Sequence, residues 1–397
     1  MSRTEKLNLY LLFLLFGLGI MAIAPRNPEI KHNLAISNGT FGTLISAGGI
    51  GSVLSLIFGG HIVHRLGPRP VLIASATIMY SAIAVIPHLH SALLFLLMNI
   101  IIGISMSGYH IAINGQALHR QDESGEVLIP RLHGLWSVGA LGTAIFAFLI
   151  TSHVSLAWHI DVMMALIWLF TLASISKLKP YFIGGVKEEE KSPIFSFNKL
   201  IAAFKYERLI TFGLLCVLMI EFSTNDWATI FAKEQIGMSA SLSILPYIIF
   251  VISMIFGRFT IHKLLLIKPE NYWMRWGPLL GGMMFLILLI VGNQVAHLHR
   301  EVGFILILLS FIFAGIGCSH LAPTFFGIAS RKSDLPGSVV VAQLGLVNTI
   351  LVFLLKIIIS WIVQLTSVIF ALLIPGFMLL GVILVADLGR KEVLLRN

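Results

Sequence analysis

The residues in this chain that could do chemistry are the ionisable ones set within long apolar runs. Glu221, Asp226, Lys356, Arg26, His110 and His320 are the foremost. An ionisable side chain at membrane depth costs about 2.5–3.5 kcal/mol by insertion scales, so each must be paired, face water or serve a function. Glu221 lies twelve residues into the run that starts at residue 209, about 18 Å along a helix. That places it near the middle of a bilayer. A carboxyl shielded from water holds its proton more readily, which suits proton coupling. The plainer reading is a structural pair with a neighbouring helix.

Asp226 is the second proton-coupling candidate. It sits nearer the outer surface, where solvation alone explains a carboxylate. Trp227 beside it serves as an interfacial anchor or as a platform for solute. Lys356, deep in the eleventh run, either pairs with a carboxylate or snorkels outwards, and snorkelling is favoured. Arg26 closes the first run, where it guards an entrance or faces headgroups. The uncharged set is Asn114, Gln116, Gln343 and Asn348; hydrogen bonding between helices is the favoured role for these amides, and solute binding the other. His133 opens the fifth run.

Enzyme chemistry finds no foothold in these patterns. There is no His-Glu-x-x-His, and Gly103-Ile104-Ser105-Met106-Ser107 lacks the last glycine of a nucleophile elbow. A phosphate-cradling loop is missing too, which argues against ATP drive within this chain. His61 and His64 without further ligands do not make a metal site. No cofactor and no metal are expected. Cys216 and Cys318 both lie in apolar runs and read as small core residues rather than a disulfide framework.

The elements that must position these residues are membrane helices. The chain has 397 residues, 57% hydrophobic and 11% charged, outside the range of a soluble globular domain. Twelve apolar runs are predicted, at 8–26, 40–62, 70–87, 92–117, 133–152, 156–176, 209–231, 241–261, 274–293, 303–326, 339–364 and 367–387. The first run follows Arg3 and Lys6 like a signal peptide, but Pro25 after Ala22-Ile23-Ala24 argues against cleavage, so it reads as a membrane helix.

With the N-terminus inside, 22 of the 27 Lys and Arg fall on the cytoplasmic side and four on the other, with Lys356 inside a run. That bias and an even span count place both termini in the cytoplasm. The net charge of +9 sits in loops, so it is no nucleic-acid footprint. The partners expected are a small solute, protons and the lipid bilayer. Residues 177–208 read as a cytoplasmic linker between two halves, 1–176 and 209–397.

The joint Gly59–Pro70 connects the second and third runs. Gly67 supplies backbone freedom, Pro68 stops the helix, Arg65 and Arg69 hold the loop inside, and Gly59 and Gly60 let a neighbouring helix come close. Phe58–Arg65 aligns with Phe256–Lys263, each at the end of the second run of its half. The joint resembles the loop between the second and third helices of the major facilitator superfamily, with Gly60, Ile62, Arg65, Gly67 and Arg69 at matching places and His64 where the family has Asp. Asn114-Gly115-Gln116, Leu132–Gly139 and Glu221–Trp227 resemble its fucose-permease-like branch.

The resemblance implies a major facilitator fold: all-α, twelve transmembrane helices in two pseudo-symmetric six-helix bundles. It implies a cavity lined by the first, fourth, seventh and tenth helices, which raises His110 and His320. It also implies a cytoplasmic gate of Gly60, His64, Arg65, Gly67 and Arg69 with Arg258, His262 and Lys263. The expected function is secondary transport of a sugar-like or amphipathic solute by alternating access, with proton coupling, by a monomer in a bacterial inner membrane. The alternative is a membrane sensor or scaffold of the same fold. His64 and His262 at the latch give that alternative its footing, since the family's latch uses a permanent Asp charge. Protonated His would repel Arg65 or Lys263, so the gate is expected to loosen as pH falls through the histidine range.

Overall fold

In a computed structural model, residues 3–126, 128–178, 208–332 and 337–389 are described. Among these, twelve helices are long and apolar enough to cross a membrane. They are α1 (Thr4–Leu34), α2 (Asn38–Leu66), α3 (Pro68–His88), α4 (Ala92–Gln121), α5 (Arg131–Ile150) and α6 (Leu156–Ser176), then α7 (Arg208–Gln235), α8 (Leu242–Leu264), α9 (Glu270–Ala296), α10 (Arg300–Lys332), α11 (Gln343–Leu365) and α12 (Phe370–Leu388). No strand occurs among the described residues. In hydrocarbon, a helix satisfies its backbone groups internally, which is why apolar runs of this length fold this way.

The helices divide between two compact units, α1–α6 and α7–α12. Most of the linker read over 177–208 lies outside the described residues. Within the first unit α4 packs on α2 and α3, α1 on α5 and α6, and α3 on α6. Within the second the same pairs recur six helices later: α10 on α8 and α9, α7 on α11 and α12, and α9 on α12. The repeat read from Phe58–Arg65 and Phe256–Lys263 thus sits in matching elements, α2 and α8.

Small residues set the closest crossings, where helices meet without water to drive them together. A Cβ on Gly103 of α4 would stand 2.0 Å from the Gly48 carbonyl oxygen of α2. On Gly17 of α1 it would stand 2.0 Å from the Trp136 carbonyl oxygen of α5. Gly60 does not belong to such a crossing: nothing lies within 4 Å of its would-be Cβ, because it faces outwards. Gly59, one residue earlier on the buried side, meets Ile111 of α4.

Several spans are broken. The main helix of α1, Arg3–Ile20, ends ahead of Pro25, and the chain re-enters as Asn27–Leu34 with Ala35 closing it at φ 51°. Gly67 between α2 and α3 takes φ 80°, donates its N–H to Val63 O at 2.9 Å, and hands over to Pro68 at the first turn of the next helix. The span α10 is two helices, Arg300–Cys318 and Leu321–Lys332.

Candidate functional site

In the second unit α7 places Glu221 and Asp226 five residues apart, and each carboxylate meets a base from another helix. Glu221 Oε1 lies 3.3 Å from an Arg258 terminal nitrogen of α8, the two side chains retaining 21% and 32% of their exposure. Asp226 Oδ2 lies 2.8 Å from Lys356 Nζ of α11, at 14% and 15%. Lys356 Nζ also stands 5.6 Å over the Phe222 ring. Asp226 is therefore not simply solvated, and Lys356 does not snorkel: in a low-dielectric interior, each charge offsets the other's desolvation. Trp227 is not at an interface either; it is 2% exposed, inside the helix packing.

The repeat groups Arg258 with the gate, but its guanidinium turns inwards. Nε donates to the Ser319 carbonyl at 3.0 Å while the other arm reaches Glu221. His320, the next residue, is buried, with Nε2 lacking a partner among the described residues. Asn348 is fully buried and donates Nδ2 to Leu344 O of its own helix at 3.0 Å. Its Oδ1 has no partner among the described residues. Gln343 lies on the same helix, one turn and a half before it.

The first unit holds a different constellation. His110 and His133 meet edge to face at 5.9 Å, over a bed of Phe13, Phe16 and Tyr109. Both histidines are exposed while the three aromatic rings are buried. Asn114 donates to His110 O of its own helix at 2.9 Å, so for this amide as for Asn348 the bond runs within a helix and not between helices. Gln116 is buried.

Arg26 faces neither headgroups nor an open entrance. It is 1% exposed. Its guanidinium grips Glu29 at 2.6 and 2.7 Å, donates to Val154 O at 3.2 Å and reaches His159 Nδ1 at 3.2 Å. A guanidinium has no acceptor, so His159 Nδ1 must accept and the ring proton sits on Nε2. Glu29 was legible as the carboxylate three residues on; His159 had no signal, because nothing in the sequence shows α6 passing Arg26.

Sequence reading also missed a cluster near the start of α1. Arg120 joins buried Glu5 at 2.7 Å and bonds Glu123, Lys6 bonds Glu126, and His119 Nε2 stands 3.1 Å from Glu123. The Arg120 hydrogen bond holds the Glu123 carboxyl below its usual value of 4.5. The Lys6 hydrogen bond does the same for Glu126.

At the joint, Gly67 and Arg69 make the turn, Arg69 donating to Ser176 O of α6 at 3.2 Å. His64, Arg65, His262 and Lys263 do not take part in the packing of their units. No group of three or more metal-ligating side chains occurs among the described residues.

Two six-helix units with matching helix pairs, each with its basic joint after the second helix, agree with the profile of one transporter family over residues 9–353. The chain belongs to the major facilitator superfamily. It is an integral multi-pass membrane protein and a transporter of that family. An uncharacterised major-facilitator-type transporter of Yersinia pestis is 25% identical over 86% of this chain and 84% of its own. The membrane protein MosC of Rhizobium meliloti is 23% identical over 62% of this chain and 58% of its own. Among solved structures, a mutant of the nucleoside transporter NupG superposes with a TM-score of 0.77 at 16% identity, over 96% of this chain and 98% of its own. A D-xylose–proton symporter does so with a TM-score of 0.71 at 16% identity, over 97% and 96%. At that identity these two structures speak for the fold.

Proposed function

We propose that this transporter couples movement of a small polar, sugar-like solute to protons, with Glu221 as the carboxyl that takes and releases the proton. The observation that carries this reading is the Glu221–Arg258 pair: a carboxylate within a membrane helix, bound to a cation yet still partly exposed. A fully buried pair would be structural, whereas a partly exposed one can exchange a proton with water. Protonation removes the negative charge and loosens Arg258, a change of the kind that alternation between two states requires. The polar, hydroxyl-rich solutes named for two of its structural neighbours, a nucleoside and D-xylose, agree with a solute that Asn, Gln and His side chains can bind.

The bilayer in question is a bacterial inner membrane, in keeping with the bacterial relatives. Both termini face the cytoplasm by the placement of Lys and Arg. The transporter acts as a monomer of two bundles, 1–176 and 209–397, joined by 177–208, and needs no cofactor or metal. The basic joints around His64 and His262 form its inner gate.

Purified protein in liposomes, offered labelled pentoses, hexoses and nucleosides with an inside-alkaline pH gradient, tests the reading. At least one solute should accumulate, and a protonophore should abolish accumulation. Accumulation indifferent to the protonophore would remove proton coupling. Binding without any flux would favour a sensor.

A further inference from the structure

The break in α10 has a cause in sequence. Helix Arg300–Cys318 stops, Ser319 and His320 form a turn, and the helix resumes at Leu321. Pro323 lies four residues beyond Ser319 and has no N–H, so the Ser319 carbonyl loses its helical donor. Ser319 is 1% exposed, which denies that carbonyl a ready donor from water.

Arg258 supplies the donor. Its Nε lies 3.0 Å from Ser319 O, and its terminal nitrogen lies 3.3 Å from Glu221 Oε1. A single guanidinium thus spans α7, α8 and the break in α10. The preceding residue makes this possible: a Cβ on Gly257 would stand 2.3 Å from Ser319 Oγ, so α8 lies directly against the break. On the far side Gly277 of α9 gives room to the His320 ring, whose Cε1 is 3.0 Å from where a Cβ would be.

We propose that Arg258 is a positioning residue that transmits the charge state of Glu221 to the break in α10. The proposal rests on the reading of Glu221 as the proton carrier. With Glu221 ionised, the guanidinium is held from α7 and in turn holds the Ser319 carbonyl, fixing the angle between the two halves of α10. A proton on Glu221 replaces an ion pair by a weaker hydrogen bond from the guanidinium to an uncharged carboxyl. The guanidinium is then free to turn away, and the Ser319 carbonyl must find another donor by re-angling the helix. Proton uptake on α7 becomes a change in the angle of α10.

Other titratable and charged groups lie near the pair among the described residues. Cys318 of α10 lies close enough to feel both Glu221 and Arg258. His320 follows on the same helix. Asp226, on α7 itself, has its own cation in Lys356.

The test is hydrogen exchange of the backbone over residues 316–326 in purified protein, across pH. Each value is taken relative to an exposed reference peptide of the same protein, which cancels the intrinsic pH dependence. In the natural protein the relative exchange should rise as pH falls. A hydrogen bond from a charged donor governs roughly a tenfold change in a local opening equilibrium. Glu221→Gln and Arg258→Gln should both show the raised exchange at every pH. Arg258→Lys serves if Arg258→Gln does not fold: one ammonium replaces a fork, so exchange should rise at neutral pH and the pH response shrink. Natural pH response in Arg258→Lys, or in Arg258→Gln, would overturn the proposal. If Glu221→Gln loses gradient-driven accumulation but keeps natural exchange over 316–326, the proton reading stands and the transmission through Arg258 falls. If Glu221→Gln keeps accumulation, the proton reading itself falls.

Discussion

Lys356 Nζ stands 2.8 Å from Asp226 Oδ2, tying α11 to α7. Both side chains are nearly buried, so the bond holds two desolvated charges rather than a screened surface pair. Asp226→Asn alone should destabilise the protein by about 3 kcal/mol, because Lys356 is left uncompensated. Lys356→Met alone should do the same to Asp226. The double variant Asp226→Asn with Lys356→Met should recover most of the loss. Thermal unfolding in detergent of all four proteins measures this. Equal losses that simply add would show that the two charges do not interact.

The Arg26 network predicts an asymmetry. Arg26 is buried, while Glu29 keeps 37% of its exposure. Removing Glu29 strands a buried guanidinium; removing Arg26 leaves a carboxylate that water can reach. Glu29→Ala should therefore cost more than Arg26→Met, by on the order of 2 kcal/mol after allowance for the exposure of Glu29. Unfolding temperatures of the two variants in the same detergent decide it, and the reverse order would show that Val154 O and His159 are enough to hold the guanidinium without Glu29.

How far the fold was legible can be argued from these two arginines and Lys356. Hydropathy marks which residues lie in a span, and all twelve spans were visible that way. It does not mark helix rotation. Arg258 lies six residues before the end of α8 at Leu264, so by position it belongs with a basic gate. Only the facing of α7 and the break in α10 turn it towards Glu221. Lys356 and Asp226 are 130 residues apart in the chain, and no local pattern pairs them. Arg26 with Glu29 was within reach, since three residues on a helix share a face. The glycine crossings were visible in kind but not in partner: Gly60 resembled Gly59, yet one step along the helix, roughly a quarter turn, separates an outward-facing site from a contact.

That distinction is itself testable. A Cβ on Gly103 would meet backbone of α2 at 2.0 Å, which no side-chain motion relieves. Gly103→Ala should abolish folded, monodisperse protein in detergent. Gly60→Ala and Gly115→Ala, with nothing within 4 Å, should keep the yield and hold or slightly raise the unfolding temperature, since Ala is the better helix former. Size-exclusion profiles of the three variants measure this. A well-folded Gly103→Ala would mean that α2 and α4 can separate without loss.

The carboxylates after α4, beside the start of α1, set an acid limit. Glu123 and Glu126 both titrate below their usual value of 4.5, through hydrogen bonds from Arg120 and Lys6. A depressed folded value contributes stability above the unfolded value, and that contribution disappears as pH falls through the folded one. The Lys6–Glu126 tie from α1 to the end of α4 should thus be intact at neutral pH and lost only in acid, below the usual value of 4.5. The unfolding temperature should fall with pH over that window. In Glu123→Gln with Glu126→Gln the fall should be shallower. An unchanged slope would place the acid sensitivity elsewhere.

Two carboxylates on α7 compete for the proton, and geometry separates them. Asp226 is the more buried and the more closely paired, at 2.8 Å, whereas Glu221 is held at 3.3 Å with a partner that keeps 32% of its exposure. A tight, buried pair favours both charged forms and resists proton exchange; a looser, wetter pair can open. Glu221→Gln keeps the shape and removes the charge change. In liposomes it should bind solute and exchange it down its own gradient, since that step needs no net proton movement, yet lose accumulation driven by a pH gradient. Asp226→Asn combined with Lys356→Met should keep gradient-driven accumulation, because its charges serve packing. Gradient-driven accumulation in Glu221→Gln, together with its loss in the Asp226 and Lys356 double variant, would reverse the assignment and make Asp226 the proton carrier.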